Sequence, residues 1–111
     1  MEQITWDDFI KVEFRVGEII EAKAVDGSDK LIREVVDFGE FGQKVAYSGI
    51  KKYYSPEELV GKKTVFVVNM IPKKVMGELS EVMIFACEDE INNKVSLLVL
   101  EKDLPNGSKV F

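Results

Sequence analysis

The sequence predicts an all-β domain with two short helices. Turn residues punctuate the chain often, no long 3.6-residue periodicity survives, and short apolar or alternating runs fill the intervals. With 111 residues, the chain is expected to form one domain over 1–111, large enough for a single core.

The elements follow in order. Thr5 is placed to cap a first helix at about Trp6 to Ile10, with Asp8 completing an approximate capping box. A strand is expected from about Phe14 to Val25, where Ile20, Ala22 and Ala24 alternate with Glu21 and Lys23. Gly17 sits where a barrel strand bulges or bends. Gly27-Ser28-Asp29 turns the chain into a second strand at about Leu31 to Phe38, and Gly39 to Gly42 turns it again into Lys44 to Ser48. Ser55-Pro56-Glu57-Glu58 reads as a helix N-cap, a proline at N1 and a glutamate at N3, and Gly61 stops that helix after about one turn. Thr64 to Asn69 is almost wholly apolar, as in a strand that is buried on both faces or closes a barrel. Ile71 to Leu79 is expected as a loop, Val82 to Cys87 as a fifth strand and Val95 to Leu100 as another. Asn106-Gly107 turns the chain a last time.

Five short strands with a one-turn helix between the third and fourth match a five-stranded Greek-key barrel of the OB type. The hairpin after Cys87 is a C-terminal extension beyond that unit. Its apolar residues, Leu97 to Leu100, together with Phe111, are expected to be covered by a second copy of the chain in a homodimer.

Composition narrows the function. Histidine is absent, which removes the commonest general base and metal ligand. The single cysteine forms no internal disulfide, and no zinc-ligand spacing is present. The carboxylates are scattered without a base partner, so neither an enzyme nor a cofactor is expected. No apolar run is long enough to span a bilayer, and the N-terminus lacks signal features, so a cytoplasmic location without a membrane partner is expected. The net charge is −5, but residues 44–77 hold seven basic and two acidic groups, while the segments on either side are acidic. Screening beyond roughly 8–10 Å makes the local patch, more than the total, what a ligand meets. Lys51-Lys52, Lys62-Lys63 and Lys73-Lys74 all lie in that patch.

Seven pieces in fixed order give the chain a family resemblance. They are DDFIKVEFRVGEIIEA (Asp7–Ala22), SDKL (Ser28–Leu31), VDFGE (Val36–Glu40), SGIKKYYSPEELVGKK (Ser48–Lys63), VNMIPKKVMG (Val68–Gly77), SEVM (Ser80–Met83) and LPNGSKV (Leu104–Val110). The chain resembles the tRNA-binding domain at the C-terminus of many methionyl-tRNA synthetases. It also resembles free-standing dimeric tRNA-binding proteins and endothelial monocyte-activating polypeptide-like domains. The resemblance implies an OB-fold that recognises the outer corner of tRNA by shape, without catalysis. The methionine just before the domain suggests a free-standing protein, acting alone or in trans with methionyl-tRNA synthetase. One departure stands out: Val82 occupies a position where synthetase-type members usually carry glycine. A valine there resembles the CsaA-type export chaperones, which makes binding of unfolded peptides the alternative function.

Holding a structured RNA without reading its bases calls for phosphate contacts from cations. Lys30, Arg33, Lys73 and Lys74 flank the loops of the expected binding face. Asn69 and Ser80 offer uncharged hydrogen-bonding groups, and Met76 an adaptable apolar contact. Two readings stand for Asn69: RNA contact, or a tie for the 71–79 loop. Met83 and Cys87 are read as core, and Glu81 as orienting a neighbouring lysine. Tyr53-Tyr54 is read as packing the small helix against the barrel.

Overall fold

The computed structural model describes residues 1–111. Helix α1 spans Trp6–Phe9, and the Thr5 hydroxyl accepts the Asp8 backbone N–H at 3.1 Å, as the cap signal predicts. Strand β1 (Phe14–Ala24) is the spine of the molecule. Its first half pairs with β4 (Lys63–Val67) and β10 (Lys109–Val110), and its second half pairs with β2 (Ile32–Asp37). The register shifts between Ile19 and Glu21, so the bulge falls at Ile20 and not at Gly17.

Gly17 serves close packing instead. A Cβ there would lie 2.5 Å from Val36 Cγ1 and 2.7 Å from Phe38 Cε1. Two bonds just past α2 (Pro56–Leu59) tie its C-terminal stop to β1: Ile19 N–H donates to Lys62 O at 2.9 Å, and Gly61 N–H to Ile19 O at 2.7 Å. The Ser55–Glu58 capping box forms as read, and Leu59 plugs the core.

Strand β3 (Gln43–Ser48) pairs with β2, and β7 (Met83–Ile84) pairs with β4. The ladder β3-β2-β1-β4-β7 closes where its ends meet: Glu81 N–H donates to Val45 O at 2.8 Å, and Val45 N–H donates to Glu81 Oε1 at 3.0 Å. Glu81 therefore ties the barrel shut and does not orient a lysine. The fold is an all-β, OB-type barrel filled by Ile19, Ile32, Val36, Phe38, Phe66 and their neighbours.

Two expected elements differ. The 71–79 loop contains a hairpin, β5 (Lys73–Val75) with β6 (Glu78–Ser80). Its turn, Met76 (φ 51°) and Gly77 (φ 85°), has both central residues left-handed, as a primed hairpin turn requires. The expected fifth strand divides at Phe85. Beyond it, β8 (Ala86–Asp89) leaves the barrel to pair with β9 (Lys94–Leu97). Cys87 is exposed there, not core, because β8 has left the barrel and all four of its residues lie in solvent. Tyr54 packs on the core, and its hydroxyl accepts Leu97 N–H at 3.1 Å, so it anchors the extension. No helix is long and apolar enough to cross a membrane.

Candidate nucleic-acid interface

The outer edge of the β2–β3 sheet and the β5–β6 hairpin together form a groove of about 450 Å³. Strand pairing makes the hairpin's arrangement regular. Lys73 lies opposite Ser80, Lys74 opposite Leu79 and Val75 opposite Glu78, so the two lysines leave opposite faces of one narrow ribbon. Both border the groove, and neither is in an ion pair. Tyr47, Ser80 and Glu81 add polar groups, and Leu31, Met70 and Val82 form an apolar wall.

Each predicted site residue has a definite place. Lys30 precedes Leu31 of the groove wall, and its carbonyl accepts Lys51 N–H at 3.1 Å, which brings a second lysine to that end. Ser80 Oγ accepts Tyr47 N–H at 3.1 Å, leaving its own hydroxyl proton available to donate. Met76 occupies the exposed hairpin tip and does not line the groove. Met83 does line it and is 44% exposed, so it is a wall residue and not the core residue expected.

Arg33 and Asn69 differ from the sequence reading. The Arg33 guanidinium is taken up by Glu78, at 2.6 Å from Nε to Oε1 and 3.0 Å from Nη2 to Oε2. The Tyr47 hydroxyl donates to the same carboxylate at 2.7 Å. These donors hold the Glu78 carboxyl down to about 2, with the Arg33 bond the larger cause. Arg33 thus has its charge matched within the protein. Asn69 lies in a separate concavity with Lys11 and Lys109. Its Oδ1 accepts Glu13 N–H at 2.8 Å and its Nδ2 donates to Lys11 O at 2.6 Å. It ties down the segment after α1, not the 71–79 loop. Both residues have protein partners far off in sequence, 45 residues away for Glu78 on Arg33 and 58 for Lys11 on Asn69, which residue type and position alone do not reveal.

Sequence reasoning missed Glu34. It is fully buried, pairs with the Ser48 hydroxyl and leaves Oε2 without a partner. Burial pushes its carboxyl up to about 8, opposed by the Ser48 bond. The signal was present: Ile32, Glu34 and Val36 alternate in phase, so Glu34 had to face inward with its apolar neighbours.

The "Putative tRNA binding domain" family model matches residues 14–109. The chain belongs to the tRNA-binding domain family. Among curated relatives, a methionine–tRNA ligase of Caldanaerobacter subterraneus subsp. tengcongensis is 47% identical over 99% of this chain, and the match covers 17% of the ligase. The family domain here therefore spans only a small part of the length of such relatives. Two solved structures are similar over nearly full length. A MetRS-related protein from Pyrococcus horikoshii superposes with a TM-score of 0.92 at 38% identity, covering 100% of both chains. The chaperone CsaA from Bacillus anthracis str. Ames superposes with a TM-score of 0.88 at 36% identity, covering 99% of this chain and 100% of that one.

Proposed function

We propose that this domain binds tRNA without catalysing a reaction, holding its outer corner by shape in the groove between the β2–β3 edge and the β5–β6 hairpin. The observation that carries this reading is the pair of unneutralised lysines, Lys73 and Lys74, on a hairpin bordering a concave surface in a member of the tRNA-binding domain family. Lys30, Lys73 and Lys74 supply phosphate contacts, and the Ser80 hydroxyl donates to a phosphate or a ribose. Met76 at the tip offers an apolar surface to a ribose or base. Asn69 retains one N–H for RNA that wraps past the α1 segment, and Arg33 acts from beneath the hairpin.

The domain acts as a homodimer in the cytoplasm, alone or in trans with methionyl-tRNA synthetase. Exposed Leu98, Val99, Phe111 and Trp6 support the dimer, since large apolar side chains left in solvent favour a partner. Fluorescence anisotropy with labelled total tRNA at low salt tests the reading. Saturable binding is expected, and its absence removes tRNA as the ligand.

The similarity to CsaA and the apolar wall formed by Leu31, Met70, Val82 and Met83 favour one second reading, an unfolded-peptide chaperone. Extended apolar peptides that bind without salt sensitivity, and compete with tRNA for the groove, would select it.

A further inference from the structure

Arg33, Tyr47 and Glu78 belong to three different strands. Arg33 and Tyr47 are direct partners across β2 and β3, so their side chains leave the same face of the sheet. Glu78 opens β6 and reaches down onto that pair. Two guanidinium donors and one phenol converge on a single carboxylate, a geometry with little angular freedom. The β5–β6 ribbon is otherwise a two-stranded sheet, which is marginal alone in water. Its remaining hydrogen bonds to the barrel, through Ser80 and Glu81, all lie at its C-terminal end.

We infer that Glu78 is a positioning residue: gripped by Arg33 and Tyr47, it holds the β5–β6 hairpin against the β2–β3 face so that Lys73 and Lys74 border the groove. This rests on the tRNA reading for its consequence, though the tether itself exists in the free protein. A competing arrangement is a phosphate that displaces Glu78 and takes Arg33 for itself. In that arrangement Glu78 is an inhibitory stand-in for the ligand. The two arrangements predict opposite signs for one substitution.

Glu78→Gln removes a negative charge from beside the groove. Electrostatics alone makes RNA bind more tightly after that change, and so does the displacement arrangement. The tether predicts weaker binding, because the lysines lose their fixed place. The experiment uses the full chain and has two readouts. Amide hydrogen exchange over 73–80, without RNA, reports the tether. Anisotropy with labelled total tRNA reports its consequence. Glu78→Gln and Arg33→Met should each speed exchange in the hairpin by roughly tenfold, leave core amides unchanged and weaken tRNA binding several-fold. Tyr47→Phe, a milder change, should fall between them and the wild type. Unchanged hairpin exchange in Glu78→Gln overturns the inference, as does tighter tRNA binding. Weaker binding by Arg33→Met with undisturbed exchange also overturns it, since Arg33 would then touch phosphate directly. If wild-type protein fails to bind tRNA, the proposed function falls, while the exchange data still decide whether Glu78 tethers the hairpin.

Discussion

At Glu34, a carboxylic acid is held in a barrel interior with one hydroxyl partner and one bare oxygen. Its folded pKa lies near 8, above the ordinary 4.5 of an unfolded glutamate. Between those values the folded chain holds a proton that the unfolded chain has released. The Glu34 contribution to stability is therefore undiminished below about pH 4.5 and declines as pH rises toward about 8. Glu34→Gln, uncharged at every pH, should flatten this decline and gain on the order of a few kcal/mol over wild type at pH 9. Urea unfolding at pH 6 and pH 9 checks it, and parallel curves for the two proteins would contradict it. Gly17 is the opposite case, where only the absence of a side chain fits. Gly17→Ala should cost about 1–3 kcal/mol by forcing Val36 and Phe38 apart, read as a lowered thermal midpoint.

At the scale of elements, the hairpin turn can be tuned. Met76 holds a left-handed conformation that asparagine adopts more easily, next to Gly77 in a primed turn. Met76→Asn should protect the hairpin amides by an additional factor of a few, measured by hydrogen exchange. The capped helix α2, the β1 to β4 strands and the terminal turn were legible in the sequence because local chemistry dictates them: a capping box, alternation and an Asn-Gly pair act within a few residues. The β5–β6 hairpin was not legible. Met76-Gly77 is not a common turn pair, and Pro72 read as a loop breaker. The division of the fifth strand at Phe85 escaped for a different reason. Phe85 N–H still donates to Val65 O at 3.0 Å, in register with the β4–β7 pairing, and the chain leaves that ladder only beyond Phe85 for β9, a partner that no local pattern announces.

For the molecule as a whole, a chain of net charge −5 presents a groove flanked by unneutralised lysines. The charge clustering was visible in residues 44–77, but the fates of individual cations were not. Lys63 is held by Asp103 at 2.8 Å and Arg33 by Glu78, pairings across 40 and 45 residues that only the fold creates. If the groove takes four to six phosphates, log affinity for tRNA should fall against log salt with a slope of about −3 to −5. The measurement that bears most directly on the groove is that slope, compared between wild type and Lys73→Ala/Lys74→Ala. The double substitution should weaken binding and make the slope shallower by about 1.5 to 2, one unit or slightly less per phosphate lost. An unchanged slope with unchanged affinity would mean that tRNA, if bound, lies elsewhere on the protein.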